Sequence, residues 1–145
     1  MLFMAKISII QGPNLNLLGT REPHIYGHFT LHGIHEQLKN VFGSAHQLEF
    51  FQSNHEGALV DAIHRVQDQD GLIINAAAYT HGSYAIRDAI AAVGKPAIEV
   101  HVTNVFAREA FRHESVIAPV CIGQITGFGG YGYELAMLAL LEHLA

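Results

Sequence analysis

Asp70-Gly71-Leu72-Ile73-Ile74-Asn75, continued through Ser83 to Val93-Gly94-Lys95-Pro96-Ala97-Ile98-Glu99-Val100-His101-Val102, is the stretch from which the fold can be read. An Asp-Gly turn opens onto a short apolar run, Leu72 to Asn75, of strand length. Ser83 to Val93 has helical period and is closed by Gly94-Lys95-Pro96, a strong stop signal. A second apolar run, Ala97 to Val102, then reads as another strand. Alternation of this kind implies parallel strands joined by right-handed crossovers.

The same alternation runs outward in both directions. Ile7 to Ile10 reads as strand one and Leu48 to Phe51 as strand two, which makes the two runs above strands three and four. Thr30 can cap a helix carrying Leu31, Ile34, Leu38, Val41 and Phe42 at i+3 and i+4 spacings. Leu59, Val60, Ile63 and Val66 mark a second helix. Val105 to Arg112 reads as a shorter helix, Val120 to Ile125 as strand five and Tyr131 to Leu144 as the last helix. The expectation is one α/β domain over residues 1–145: a flavodoxin-like three-layer sandwich around a five-stranded parallel sheet.

Composition narrows the partners. The 145 residues are 50% hydrophobic and only 14% charged, which fits one domain with a full core and hints at a subunit that buries surface against copies of itself. The net charge of −5 and the lack of any Lys/Arg cluster argue against nucleic acid. Cys121 is the only cysteine, so no disulfide can form within the chain; it reads as a buried, inert thiol. No apolar run reaches membrane-spanning length and the N-terminus is no signal peptide, so a cytoplasmic protein is expected.

In such sheets ligands bind beyond the carboxyl ends of the strands. Those ends deliver Asn14 and Arg21, then Ser53 to Glu56, then Asn75, Tyr79, Thr80 and His81, and finally Glu99, His101, Thr103 and Asn104, with Arg112 a little further on. Amides, imidazoles and arginines at most ends point to a small polar ligand. The first loop runs Gln11-Gly12-Pro13-Asn14-Leu15-Asn16-Leu17-Leu18-Gly19-Thr20-Arg21-Glu22-Pro23, then Ile25-Tyr26-Gly27, and lets a guanidinium sit beside a phenol. A free phenol titrates near pH ~10 and is a poor base at neutrality, but a fixed positive charge beside it favours the phenolate. Taken alone, the loop reads first as an anchoring Tyr26 with Arg21 in solvent. Glu99 and His101, two apart on a strand, point to one face. The carboxylate can orient the imidazole and leave its other nitrogen free for proton transfer, or the pair can serve packing alone. Arg108 and Arg112 are four apart and could share a helix face, and which of them is merely solvated stays open.

Other motifs carry less. Gly127-Phe128-Gly129-Gly130-Tyr131-Gly132 fits G-x-G-x-x-G, yet it follows the last strand and no later strand can bring a ribose-binding acid; it reads as a turn. The eleven histidines, including His24/His28 and His32/His35, lack a Cys or carboxylate cage, so no metal site is expected. Pro13 lacks the N–H that a phosphate loop needs.

Together, Gln11 to Arg21, Tyr26-Gly27, Phe51 to Gly57, Asn75 to His81, Arg87-Asp88, Glu99-Val100-His101, Ala107 to Arg112 and Gly127-Phe128-Gly129 resemble the type II 3-dehydroquinate dehydratases, in order and over nearly the whole chain. The resemblance implies no cofactor, a homo-oligomer (a dodecamer of four trimers), and dehydration of 3-dehydroquinate to 3-dehydroshikimate, in the shikimate route or in quinate breakdown. It makes Tyr26 the base, Arg21 on a mobile loop its activator, His101 the acid oriented by Glu99, and Asn14 the holder of a water at the enolate. It makes Asn75, His81, Val102, Thr103 and Arg112 substrate contacts, and Asp88 a residue reaching a neighbouring subunit's site. Departures cluster. The family's usual Asn-Pro-Gly-Ala-Tyr-Thr-His-Thr-Ser is here Asn75-Ala76-Ala77-Ala78-Tyr79-Thr80-His81-Gly82-Ser83, and Tyr84, Phe106 and Glu114 also differ from common residues. The alternatives are a lyase for a related polyhydroxy cyclic acid and a non-catalytic binding relative, which would have lost Arg21, Tyr26 or His101.

Overall fold

The computed structural model describes residues 3–145. Its five strands are β1 (Lys6–Gln11), β2 (Gln47–Gln52), β3 (Gly71–Asn75), β4 (Ala97–His101) and β5 (Gly123–Thr126). All pair in parallel, in the spatial order β2-β1-β3-β4-β5. The helices are α1 (Pro23–Tyr26, a single turn), α2 (Leu31–Phe42), α3 (Glu56–Arg65), α4 (Tyr84–Val93) and α5 (Tyr131–Leu144).

Successive side chains of a strand face opposite sides, and the apolar strands use both. Ile7, Ile9, Ile73, Ile98 and Val100 pack with Ile34, Leu38 and Phe42 of α2 and with Tyr133, Met137 and Leu140 of α5. Ile10, Leu72, Ile74 and Ala97 pack on the other side with Leu59 and Ile63 of α3 and Ile86 and Ile90 of α4. Each buried Ile or Leu contributes about 1.5–3 kcal/mol. This is the expected three-layer sandwich. Thr30 caps α2, its hydroxyl accepting from the Gly33 N–H at 3.0 Å, and Ser83 caps α4 by accepting from the Ile86 N–H at 3.0 Å. Gly94 ends α4 with φ +66°, a conformation most side chains resist.

Two expected elements differ. Val105 to Arg112 is two tight 3-10 turns, Val105–Ala107 and Ala110–His113, separated by extended backbone at Arg108 and Glu109. Asn104 caps the first turn through the Phe106 N–H, and the His113 ring bonds the Arg108 carbonyl at 3.1 Å. Tertiary contacts to Arg108 outweigh the helical propensity of the stretch, so Arg108 and Arg112 share no helix face. Strand five starts later than expected: Ala118–Val120, with Pro119 in it, forms another 3-10 turn, and pairing begins at Gly123. The last helix buries Tyr133, Ala136, Met137 and Leu140, while Leu138 is exposed. The Gly127–Gly132 run is the turn from β5 into α5, with φ +100° at Gly127 and +59° at Gly129.

Strand order reverses direction at β1, between β2 and β3, and this switch point is where the carboxyl ends open a crevice. Closeness there depends on Gly12. Its N–H donates to the Asn75 carbonyl at 2.7 Å, and a Cβ on it would meet the Ala76 carbonyl oxygen at 2.6 Å.

His35 on α2 stacks on Phe50 of β2, ring centroids 4.2 Å apart. Burial, then the Lys39 and His32 charges, push it down from 6.5 to about 4. The folded state therefore resists charging it, so its stabilising effect is whole above 6.5 and is lost as pH falls toward about 4. His35→Phe should keep the stack and flatten that loss. Urea unfolding of both proteins at pH 7 and pH 4.5 measures this, and parallel losses would place the acid sensitivity elsewhere.

Candidate active site

The carboxyl ends of β1, β3 and β4 open into one cleft lined by Pro13, Asn14, Arg21, Tyr26, Asn75, Ala77, His81, His101, Val102, Thr103, Arg108 and Arg112, among others. Nine residues expected at the site from sequence thus meet there: Asn14, Arg21, Tyr26, Asn75, His81, His101, Val102, Thr103 and Arg112. Glu99 stands behind the wall and holds one of them. Asp88 does not reach this cleft; it is exposed on α4.

Tyr26 is 8% exposed, at the end of the helical turn that Pro23 starts. Two guanidiniums flank it. Arg21 lies over the ring, Cζ 4.5 Å from the centroid, and Arg108 lies 4.9 Å from it. Only Arg108 reaches the oxygen, Nη2 donating to the Tyr26 hydroxyl at 2.8 Å. Its Nη1 faces the Thr103 hydroxyl at 3.4 Å. Neither Arg21 nor Arg108 has a carboxylate within ion-pair distance among the described residues. Their charge is thus left for the phenolic oxygen or for an anion in the cleft. The sequence pairs Tyr26 with Arg21; the structure adds a second cation, Arg108, that bonds the phenolic oxygen itself. Arg112 instead turns back to the Glu109 carboxylate while still lining the cleft.

Also lining the cleft, His101 Nε2 donates to the Glu99 carboxylate at 2.5 Å. An ionised carboxylate only accepts, so Nε2 carries the hydrogen and Nδ1 is the free nitrogen. Glu99 has no exposed surface. Thr80 donates to its Oε2 at 3.0 Å and Ser115 to its Oε1 at 2.8 Å. Burial alone would raise the Glu99 carboxyl; the His101 bond and charge, with Ser115 and Gln124, outweigh that and hold it below its ordinary value. Ser115 is in turn fixed by accepting from the Ala118 N–H at 3.0 Å. No motif flags Ser115, because it reaches Glu99 only once the turns after β4 fold beneath that strand. His81 Nδ1 donates to the Glu114 backbone carbonyl at 2.7 Å, so Nε2 is free. Asn14 is anchored by its own N–H, which donates to Asn54 Oδ1 at 2.9 Å. Cys121 is inert: burial, then the Glu99 charge, push its thiol up to about 12.

Three non-glycine residues among those described have positive φ: Asn14 at +70°, Glu22 at +38° and Ala77 at +52°. Two line the cleft and the third caps the turn that ends in Tyr26. Asn tolerates this region, but Ala does so at about 1–2 kcal/mol. Strain of this sort marks places where surrounding structure over-determines the backbone.

An imidazole held by a buried carboxylate and a phenol bonded by a guanidinium share one cleft at the switch point of a parallel sheet, a place where α/β enzymes bind small polar ligands. The family model described as Dehydroquinase class II matches residues 5–141. A "3-dehydroquinate dehydratase" of a Nitratiruptor species is 62% identical over 138 residues, covering 93% of this chain and 88% of that relative. One of an Exiguobacterium species is 56% identical over 138 residues, covering 95% of each. The crystal structure of a type II dehydroquinase from Butyrivibrio crossotus superposes with a TM-score of 0.93 at 48% identity, covering 95% of this chain and 98% of that one. The chain belongs to the class II dehydroquinase family.

Ala77→Gly should relieve the left-handed strain and gain about 0.5–1 kcal/mol net, after the greater entropy loss of Gly. For a chain of this size that is a rise of roughly 1.5–3 °C in Tm by calorimetry. An unchanged or lowered Tm would mean that the Ala77 methyl offsets the strain.

Proposed function

We propose that this chain converts 3-dehydroquinate to 3-dehydroshikimate and water, a step of the shikimate route, through an enolate. The observation that carries the mechanism is that Tyr26, bonded by a guanidinium, and His101, held by a buried carboxylate, line one cleft. Tyr26, as phenolate, takes the proton next to the substrate carbonyl and becomes a phenol. The electron pair left on carbon delocalises into the carbonyl as an enolate. As it returns, the carbon–oxygen bond to the leaving hydroxyl breaks, and His101 donates the proton that makes this hydroxyl water. One proton passing from Tyr26 to His101 through solvent then resets both groups, so the balance is one water lost.

Arg108 supports the base by donating to the oxygen on which negative charge must sit. Arg21 supports it through the ring face and, on the loop before α1, is placed to close over bound substrate and exclude water. Glu99 orients His101 and compensates the imidazolium. Asn14 holds a water against the enolate oxygen, a preorganised dipole. Asn75, His81, the Val102–Thr103 segment and Arg112 hold the substrate carboxylate and ring hydroxyls. The functional form is a homo-oligomer, a dodecamer of four trimers, in which Asp88 reaches a neighbouring subunit's cleft. Exposed Tyr84, Phe106, Phe111, Phe128 and Leu138 supply apolar surface for those contacts.

Tyr26→Phe should lower kcat by about 10²–10⁴-fold, the usual reach of a general base, while binding is kept. Absorbance of the conjugated enone product follows this, and substantial turnover by the variant would sink the base assignment. Arg108→Ala should lower kcat at least about tenfold, because the Tyr26 oxygen loses the guanidinium that donates to it. Arg21→Ala should slow the reaction less. A larger loss with Arg21→Ala than with Arg108→Ala would mean that the ring-face contact is the one that matters. Asp88→Ala should raise KM or break the trimer, read by kinetics and by light scattering; a variant normal in both refutes the cross-subunit role.

A further inference from the structure

Asn75 ends β3, is 2% exposed and lines the cleft. Its side-chain amide is wired at both ends. The Ala77 N–H donates to Asn75 Oδ1 at 3.0 Å. A backbone N–H can only donate, so the oxygen's place is settled and Nδ2 is left facing Tyr133. Nδ2 donates to the Tyr133 hydroxyl at 3.0 Å, and that hydroxyl donates to Gln11 Oε1 at 2.6 Å. The chain of bonds therefore has one direction, Ala77 to Asn75 to Tyr133 to Gln11.

It ends badly for Gln11. Gln11 is fully buried, and its Nε2 has no hydrogen-bond partner. Flipping that amide would not help. The Gln11 amino group would then donate to Tyr133, whose own hydrogen would face two donors and no acceptor. The other end of the chain is equally unfavourable, since it starts from Ala77 in its left-handed conformation at φ +52°. An orphaned amide and a strained alanine thus terminate the same three-bond chain, and Asn75, one of its two inner members, lines the cleft. Tyr133 stays a phenol throughout, its hydroxyl pushed up to about 12 chiefly by burial, so the direction does not reverse with pH.

We propose that Tyr133 and Gln11 are positioning residues: they lock the Asn75 amide so that its remaining N–H is held toward a substrate oxygen. This rests on the reaction proposed above and adds to it two residues outside the cleft, one on β1 and one on α5. Stability alone does not account for them, because the chain leaves a buried donor unmet.

Kinetics with 3-dehydroquinate on wild type, Tyr133→Phe, Asn75→Ala and the double variant test this. Tyr133→Phe should raise KM roughly tenfold, the size of one misplaced hydrogen bond at about 1.4 kcal/mol per tenfold, with kcat within about twofold. In the Asn75→Ala background it should add nothing further. An unchanged KM, or a KM effect that persists at full size without Asn75, overturns the proposal. A crystal structure of Tyr133→Phe gives a readout free of turnover: Asn75 should occupy more than one side-chain conformer. A single unaltered conformer overturns the positioning role even if wild type fails to turn over 3-dehydroquinate, a failure that would count against the reaction instead. Where Tyr133→Phe does not fold, Gln11→Leu takes its place, with a severalfold rise in KM expected and an unchanged KM decisive against.

Discussion

Parallel pairing of β1, β3 and β4 sets Gln11 beside Asn75 and runs Ile74 beside Glu99, so the polar ends of three apolar strands must emerge at one rim. Polar groups at the ends of buried strands cannot all reach water, and each must find a partner or be left unmet. Glu99 finds three donors, from His101, Thr80 and Ser115. Asn75 finds two partners and Gln11 only one. An unmet buried N–H costs about 1–3 kcal/mol, and the left-handed Ala77 costs a similar amount. The two apolar layers offset both. The site is built from groups that the rest of the fold holds in place against their own preferences.

Charge follows the same logic. Arg21 and Arg108 converge on Tyr26 without a carboxylate to neutralise them, whereas Arg112, lining the same cleft, carries Glu109. Two like charges near one ring repel each other unless negative charge sits between them. Negative charge on the phenolic oxygen or on a bound carboxylate eases that repulsion. Behind His101 the order is reversed: among the described residues the buried Glu99 carboxylate has no Lys or Arg counter-ion and is compensated by hydroxyls and an imidazole. The cleft thus carries positive charge beside Tyr26 and negative charge behind His101.

The fold was legible because its strands are short, apolar and punctuated: Asp70-Gly71 before β3 and Gly94-Lys95-Pro96 before β4 mark turns that the backbone obeys. The lining of the cleft was legible in part, because Glu99 and His101 are neighbours in period and Tyr26 shares a loop with Arg21. What the sequence left open has a common physical character. Whether Arg108 or Arg112 serves Tyr26 depends on the break between two 3-10 turns, which no propensity signals. Ser115 meets Glu99 across 16 residues, and Tyr133 meets Asn75 across 58 and Gln11 across 122. Contacts at such separation exist only after the sheet and α5 have packed.

The departures from the family's usual residues can now be sorted by what they touch. Tyr84 and Phe106 are 66% and 59% exposed, on the surface and not among the lining of the cleft. A Cβ at Gly82 would meet nothing within 4 Å, and its backbone is extended, so the missing side chain opens space without relieving strain. Glu114 holds His81 through its backbone carbonyl, a contact that any residue there could make. Only the Ala76-Ala77 pair reaches the chemistry. With Ala at a left-handed position, the turn after β3 is held under strain where a glycine would sit at ease, and its N–H is the one that sets the Asn75 amide. The turn keeps its course because the Asn75 side chain, the Gly12 contact and the packing of Ala76 at the rim leave it no other. In this chain the N–H that bonds the Asn75 oxygen comes from a strained alanine rather than from a compliant backbone.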